Sequence, residues 1–309
     1  LISLLDQGEL RLGHGTRQGY GLFQIIRLHE GRWDLRDHQQ FQGYLKRPRL
    51  RKDLQQLDAV KRSGQSQEIV FSMPLQAESY WRIGGGETSL LTIDSGTVSL
   101  LPVSERRVIW QDNQAEYGLQ PQPILTGSAV KGALRHRVAY HYRCLTGLFA
   151  DELSLDESLP EAEQCPAVTA LFGFAQDDQA DQSDHPQATA GLLIVDDVTL
   201  DHIDVRNIMH NRVDRFTGGV INGALFTEQV LWQTPLVLKI TVLPRPDAPV
   251  DPQVRQALFR TLEDVAQGRL PLGAGGSRGL GVFCVPEGQT PSWSDGGQWI
   301  EGVVQENAP

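Results

Sequence analysis

Glycine-rich segments with an adjacent arginine occur twice in this chain, at residues 7–23 and 267–283, and their composition suits contact with a polyanion. Glycine has no Cβ, so a phosphate or another backbone can approach its main chain closely, and Arg17 or Arg278 would add a charge-assisted contact. The alternative is a turn that needs positive φ angles at several positions. Because both copies carry an arginine, we favour contact with a polyanion.

A second candidate contact lies at residues 126–128 (Thr-Gly-Ser), where a helix is predicted to begin. The free N–H groups at a helix N-terminus suit phosphate, and Lys131 and Arg135 share one face of the helix because they are four residues apart. A nucleotide-binding P-loop would need a lysine after its second glycine, whereas Ala133 follows Gly132 here. A nucleotide triphosphatase is therefore disfavoured, and an ordinary cationic surface helix is the alternative that the residues leave open.

The two glycine-rich segments align without a gap at an offset of 260 residues, and nine of their 17 positions are identical. Before the second copy, residues 251–252 (Asp-Pro) predict the start of a helix, and a short strand follows the glycines. A dinucleotide-binding loop has the opposite order, strand before helix, so that function is disfavoured. We predict that residues 1–30 are the last helix, glycine loop and last strand of one module, and that a complete module spans residues 68–285.

The complete module is predicted to have the order β-α-β-β-α-β and an α+β, ferredoxin-like (RRM-like) fold. Three apolar runs predict its main strands: residues 68–75, 192–200 and 235–243. Insertions are expected at about 87–122, which is long and without a regular pattern, and at 148–190, which is acidic and rich in Gln. Outside the module, residues 31–67 are predicted to be a basic connector and residues 286–309 a C-terminal tail.

The formal net charge of −10 arises in one part of the chain. Residues 144–205 contain 14 Asp or Glu and no Lys or Arg, so the remainder has a net charge of +4, and the local field allows a nucleic-acid partner. The sequence has no run of about 18 apolar residues and no basic-then-apolar leader, which predicts a cytoplasmic protein with no membrane span. The three cysteines lie far apart, so neither a disulfide framework nor a zinc cluster is expected. The first residue, Leu1, predicts that the numbered chain is a portion of a longer product or a processed one.

Three segments together resemble the RAMP superfamily of CRISPR-associated proteins. Residues 124–135 (ILTGSAVKGALR) are similar to the family's IPGSSLKGALR segment, with Thr126 at the position of its proline. Residues 211–220 (NRVDRFTGGV) and 223–228 (GALFTE) are similar to segments of the backbone subunits in type III effector complexes. The third segment is the glycine loop, in both copies. The resemblance covers about residues 68–285, and the tail of a preceding module implies a fused, multi-module backbone protein.

The resemblance implies that each module binds several nucleotides of a guide RNA (crRNA) through their phosphates, while base pairing supplies the specificity. The expected partners are the guide, a target RNA and other subunits of a CRISPR effector ribonucleoprotein, in a prokaryotic cytoplasm. The residues to which it assigns RNA contact are Arg17, Thr126, Gly127, Ser128, Lys131, Arg135, Arg212, Arg215, Gly275, Gly276, Ser277 and Arg278.

Many type III backbone subunits cut target RNA with a loop aspartate upstream of this helix and a divalent metal such as Mg²⁺, so the resemblance implies a metal-dependent endoribonuclease. A metal can stabilise the charge that develops when a 2′-hydroxyl attacks. Asp94 and Asp112 lie in the right region, and both are candidate catalytic and metal-binding residues. A loop aspartate is also a common turn former, so a non-catalytic RNA-binding scaffold is the alternative. Asp214 is expected to form a structural ion pair with Arg215.

Overall fold

The computed structural model of the chain describes residues 5, 11–13, 21, 23, 25, 28–30, 33–46, 55–57, 68–91, 98–111, 114–148, 165–174, 189–200, 203–245 and 249–301. The chain divides into two compact units. One consists of Leu1–Thr16 with Tyr20–Gln67, and the other of Arg17–Gly19 with Glu68–Pro309. None of the helices within the described ranges is both long enough and apolar enough to span a bilayer.

The first unit contains a helix and a pair of short strands. Strand β1 (Leu28–Glu30) pairs antiparallel with β2 (Gln55–Leu57), and helix α1 (His38–Leu45) lies between them in the chain. The helix begins after Asp37, whose carboxylate accepts two N–H groups of the first turn. Residues 31–67, predicted to be a connector, therefore contain regular structure.

The second unit is built on a five-stranded antiparallel sheet. Its elements are, in chain order, β3 (Ile69–Ala77), β4 (Tyr80–Trp81), β5 (Ser104–Gln111), β6 (Gln114–Leu125), α2 (Gly127–Thr146), α3 (Pro166–Phe172), β7 (Gly173–Phe174), β8 (Thr189–Ala190), β9 (Leu193–Val195), β10 (Val198–Thr199), β11 (Asp204–His210), β12 (Phe226–Trp232), β13 (Pro235–Val242), α4 (Pro252–Ala266), β14 (Phe283–Cys284), β15 (Ser292–Trp293) and α5 (Gln298–Glu301). The main sheet has the order β14-β3-β13-β9, and every neighbouring pair is antiparallel. This order places the first and third strands of a β-α-β-β-α-β chain at the centre, and it confirms the predicted α+β, ferredoxin-like fold.

The core lies between one face of this sheet and the helices α2 and α4. Alternate side chains of β3 and β13 are buried, as expected for strands with one face against the core. The helices bury side chains at spacings of three and four residues. The side chains that form this layer include Phe71, Met73, Leu75, Leu238, Ile240, Val130, Leu134, Val138, Val254, Leu258, Leu262 and Val265. Burying each large apolar side chain contributes about 1.5–3 kcal/mol, and this burial fixes which face of each helix is left for other contacts.

The prediction that residues 87–122 lack a regular pattern is wrong for much of their described length, because β5 and β6 form a long antiparallel hairpin. The hairpin escapes a periodicity search because several of its side chains are exposed on both faces, Arg106, Arg107 and Ile109 among them. The segment 148–190 also contributes to the core, since helix α3 fully buries Ala167, Val168 and Leu171. The predicted strand at 192–200 is interrupted and forms β9 and β10.

The described part of the C-terminal tail packs against the core. Strand β15 pairs with β3, and the rings of Trp293 and Phe71 lie 4.5 Å apart. Ile300 is fully buried, and Arg255 of α4 donates a 2.7 Å hydrogen bond to the carbonyl of Trp299. The tail thus covers one edge of the sheet and extends the core beyond residue 285.

Candidate nucleic-acid interface

The base of the glycine loop, residues 273–279, is closed by a hydrogen bond between two backbone groups on either side of the loop. The N–H of Leu272 donates a 2.8 Å hydrogen bond to the carbonyl of Gly281. Gly281 has a φ of +78°, and a Cβ there would lie 2.3 Å from the carbonyl oxygen of Leu272. Gly273 has a φ of +96°, and a Cβ there would lie 2.4 Å from the carbonyl oxygen of Arg82. These two glycines are therefore required by the close approach of the protein's own main chain.

The first copy of the segment has the same turn at its described positions. Leu12 donates a 3.0 Å hydrogen bond to the carbonyl of Gly21, and a Cβ at Gly21 would lie 2.1 Å from the carbonyl oxygen of Leu12. Gly13 and Gly21 have φ angles of +99° and +77°, within a few degrees of their counterparts at an offset of 260 residues. Leu5, which precedes the turn, is helical, as α4 is before the second copy. The sequence repeat is therefore also a repeat of backbone geometry.

The tip of the glycine loop is exposed, unlike its base. Residues Gly276–Arg278 form a 3₁₀ turn between two glycines in the left-handed conformation, Gly275 and Gly279. Ser277, Arg278 and Gly279 are exposed, and a Cβ at Gly279 would have no atom within 4 Å. Gly275 and Gly276 are half-buried. The N–H groups of Arg278 and Gly279 donate to the carbonyls of Gly275 and Gly276, so the side chains of Ser277 and Arg278 are the part of this loop that a ligand could approach.

The start of α2, the second predicted contact, is held by a carboxylate of the protein. The N–H of Gly127 donates a 2.7 Å hydrogen bond to Asp197, and a Cβ at Gly127 would lie 2.1 Å from the carbonyl oxygen of Val195. The Nζ of Lys131 lies 3.4 Å from the carbonyl oxygen of Leu193. Ser128 is exposed, whereas Thr126, Lys131 and Arg135 are half-buried. This helix N-terminus therefore already has a negative partner, which leaves less of its positive potential for a phosphate.

A row of backbone hydrogen bonds connects the glycine loop with the start of α2. Ala274 donates to Arg82 at 2.9 Å, Val103 donates to Ile83 at 3.0 Å, and Ile124 donates to Val103 at 3.1 Å. Three steps of ~4.8 Å separate Ala274 of the glycine loop from Ile124, three residues before the start of α2, by at most roughly 15 Å. Segments far apart in the sequence are thus brought within the span of a few nucleotides.

A buried carboxylate lies beside the glycine loop, with cationic side chains around it. Glu228 of β12 is completely buried, and its Oε1 accepts hydrogen bonds from Arg82 at 2.5 Å and from Arg278 at 3.1 Å, while its Oε2 lies 3.0 Å from the same nitrogen of Arg278. The Nε2 of His210 lies 2.8 Å from the same carboxylate. Within the described ranges, Glu228 is the only carboxylate that either arginine contacts. The cluster therefore holds more positive than negative charge.

Strands β11 and β12 are joined by an exposed loop, and this loop carries the predicted contacts Arg212 and Arg215. The carboxylate of Asp214 accepts hydrogen bonds from the N–H groups of Thr217 and Phe216, and these bonds lower the pKa of Asp214 below its ordinary value. Asp214 and Arg215, both described, form no ion pair, so that prediction is wrong, and Oδ1 of Asp214 instead accepts the hydrogen bonds of its own turn. Both arginines are exposed, and Phe216 is 90% exposed.

Three predicted site residues, Arg17, Asp94 and Asp112, lie outside the described residues. The flanks of Asp94 are described, and both are held by β12. Leu90 donates a 2.7 Å hydrogen bond to the side-chain oxygen of Gln229, and Ser99 donates a 2.9 Å bond to the carbonyl of Thr227. Leu90 and Ser99 therefore contact the two residues of β12 that flank Glu228 in the sequence, Gln229 and Thr227.

The flanks of Asp112 lie elsewhere. Gln111 and Gln114 pair as the last residues of the β5–β6 hairpin. Eleven steps along β6, at ~3.3 Å each, separate Gln114 from Leu125, so the end of the hairpin is roughly 35 Å from the start of α2. Among the described residues, no group of three or more His, Cys, Asp or Glu could hold a metal ion. The predicted Mg²⁺ ligands therefore rest on Asp94 and Asp112 alone.

Sequence reasoning missed Arg82, His210 and Glu228. A weak signal existed for Arg82, which lies between the buried apolar residues Trp81 and Ile83, because a buried charge is rare unless it is paired. Their partners were not predictable, because the pairs join residues 146 and 50 positions apart.

The sequence profile of the RAMP superfamily matches residues 75–284, which is more than half of the chain. This protein therefore belongs to the RAMP superfamily, whose members take part in CRISPR-associated RNA-binding complexes. No curated protein matches the chain.

Proposed function

We propose that this chain is a backbone subunit of a type III CRISPR ribonucleoprotein, which binds a guide RNA through its phosphates and cleaves the paired target RNA. The observation that carries the proposal is the row of hydrogen bonds that connects the glycine loop with the segment leading into α2. The repeated turn also supports a fused protein in which another module precedes this one.

Phosphate contact is expected mainly at the glycine loop and at the loop between β11 and β12. Arg278, Arg212 and Arg215 are exposed there, and Ser277 is exposed at the loop tip. The start of α2 contributes less, because Asp197 already occupies the N–H of Gly127. The hydroxyl of Ser128 remains exposed and can donate to a phosphate oxygen.

RNA binding is tested first by the absorbance ratio of the purified chain and by RNA extracted from it. The affinity for a single-stranded RNA is then measured over a range of salt concentrations, where each phosphate contact contributes about 0.7 to the slope of log K against log salt. Replacing Arg212 and Arg215 by serine should lower the slope by about 1.4, since both side chains are exposed. The matched control is Arg260→Ser, an exposed arginine on α4, which should leave the slope unchanged. A wild-type chain with no affinity for RNA would refute the proposal.

For cleavage, we propose Asp94 rather than Asp112 as the catalytic aspartate. The flanks of Asp94 are held by β12 beside the cationic cluster, whereas the flanks of Asp112 end a hairpin roughly 35 Å from the start of α2. A divalent cation such as Mg²⁺ would stabilise the charge that develops on the phosphate. The chain's own contribution would be to hold the RNA backbone in one register beside this aspartate.

The cleavage test uses the complex assembled with guide and target RNA in the presence of Mg²⁺. We expect Asp94→Ala to abolish one cut in the target while guide binding is kept, and Asp112→Ala to leave all cuts in place. Loss of the cut with Asp112→Ala alone would reverse this assignment. If both variants retain every cut, the module is a non-catalytic scaffold, which is the second candidate function.

A further inference from the structure

We propose that Glu228 is a positioning residue, which holds Arg278 so that one edge of its guanidinium group is open to an RNA phosphate. The inference rests on the proposed function, because it names the group that orients one of the phosphate contacts. Glu228 itself is completely buried, so it acts on RNA only through its partners.

The geometry divides the donors of Arg278 between two tasks. Oε1 of Glu228 accepts a 3.1 Å hydrogen bond from Nη2 of Arg278, and Oε2 lies 3.0 Å from the same nitrogen without a hydrogen bond to it. A guanidinium group has five N–H donors, and each of its two-donor edges includes Nη2, so the second N–H of Nη2 and a neighbouring nitrogen are left for a second acceptor. The Arg278 side chain is 40% exposed, and it lies in the exposed tip of the glycine loop. The carboxylate thus fixes one edge of the group from inside, while the other edge can meet a ligand from outside.

The charge of the cluster indicates that this ligand is an anion. Glu228 supplies one negative charge to two guanidinium groups, and Arg82 is 5% exposed. A buried charge is stable only when it is compensated, so the second positive charge favours an anion at the exposed side, next to Arg278. A phosphodiester has the bidentate acceptor geometry that a guanidinium edge fits best.

The first copy of the repeat provides an independent argument that Arg278 is not needed for the turn. Gln18 occupies the position equivalent to Arg278 at the offset of 260 residues. The turn nevertheless closes in that copy, through the hydrogen bond from Leu12 to Gly21. The ion pair between Arg278 and Glu228 is therefore not required to close the turn, and we assign it to ligand binding.

The test compares Arg278→Lys and Arg278→Ala with the wild-type chain, by fluorescence anisotropy of a labelled single-stranded RNA oligonucleotide. Loss of one charge-assisted contact should weaken binding about tenfold in Arg278→Ala. Lysine keeps the charge but has a single nitrogen, which Glu228 would occupy, so Arg278→Lys should bind nearly as weakly as Arg278→Ala. Wild-type affinity in Arg278→Lys would overturn the inference, because an arginine that acts only as a charge is replaceable by lysine.

A second variant, Glu228→Gln, addresses the carboxylate directly. If Glu228 positions Arg278, Glu228→Gln should weaken RNA binding several-fold and have no further effect in the Arg278→Ala background. If Glu228 were only a negative charge near the RNA, its removal should instead strengthen binding, and this result would also overturn the inference. Should Glu228→Gln fail to fold because Arg82 loses its partner, the exposed Arg278→Lys substitution decides alone. A wild-type chain that binds no RNA refutes the proposed function, whereas normal binding by Arg278→Lys refutes only the positioning role.

Discussion

Replacing Gly281 by alanine tests why the base of the glycine loop contains glycine. The φ of +78° costs an L-residue about 1–2 kcal/mol. The new Cβ would lie 2.3 Å from the carbonyl oxygen of Leu272, and the backbone shift that relieves this overlap costs about 1–3 kcal/mol. The shift also strains the 2.8 Å hydrogen bond between the same two residues, which contributes about 1 kcal/mol. We therefore expect Gly281→Ala to lower the free energy of unfolding by about 4 kcal/mol, a large fraction of the stability of a typical domain.

The matched control is Gly279→Ala in the exposed tip of the same loop. Gly279 has nearly the same φ, +79°, but a Cβ there meets no atom within 4 Å, so the expected loss is only about 1–2 kcal/mol. Urea-induced unfolding can be followed by tryptophan fluorescence, because buried Trp81 lies 5.0 Å from Phe283, two residues after Gly281. Equal losses in the two variants would refute the claim that the approach of Leu272 requires glycine at 281.

Two further predictions concern charged and reactive groups of the second unit. Burial alone would raise the pKa of Asp264, but hydrogen bonds from Arg137 and His141 outweigh it and lower the pKa. The ionised carboxylate therefore stabilises the fold above about pH 3.9 and loses this effect as the pH falls through its lowered pKa. Asp264→Asn should lower the free energy of unfolding by about 3 kcal/mol at pH 7, which corresponds to a melting temperature lower by about 6–12 °C. The difference in stability between the variant and the wild type should shrink below about pH 4. A difference that stays constant with pH would contradict the ion-pair origin. Burial and a neighbouring carboxylate raise the pKa of Cys284 to about 11. Iodoacetamide at about pH 8 should therefore label the exposed Cys144 and leave Cys284 unmodified, as measured by mass spectrometry. Equal labelling of the two cysteines would contradict this prediction.

The main elements of the fold were predictable because their residues follow a local pattern. Alternate residues of β3 are apolar, and α4 begins where the Asp251 carboxylate accepts the N–H of Gln253 and Pro252 occupies the first turn. The β5–β6 hairpin was not predictable, because strands with exposed residues on both faces leave no period-two signal. Helix α3 was missed because it is a short segment inside an acidic stretch, where composition conceals three buried side chains.

The candidate site divides in a similar way. The glycine loop and the start of α2 were visible as glycines and basic residues at fixed spacings. Their mutual position was not, since it depends on hydrogen bonds of Val103 to Ile83 and to Ile124, across segments with no sequence relation. The contacts of Asp197 with Gly127 and of Glu228 with Arg278 were not predictable for the same reason. A sequence pattern indicates which side chains could bind an anion, but only the fold decides which of them already have a partner.

The two copies of the glycine-rich segment separate what the turn needs from what a ligand needs. The positions that coincide in geometry, Gly13 with Gly273 and Gly21 with Gly281, are those at which a left-handed φ is required, and at Gly21 and Gly281 the backbone also meets a neighbouring carbonyl. The charged positions do not coincide, because Gln18 aligns with Arg278. The glycines that are identical in the two copies are therefore those that close the turn. The residues that bind a ligand are expected at positions where the two copies differ. A module that reuses this turn can then acquire a different phosphate contact without a change in its backbone.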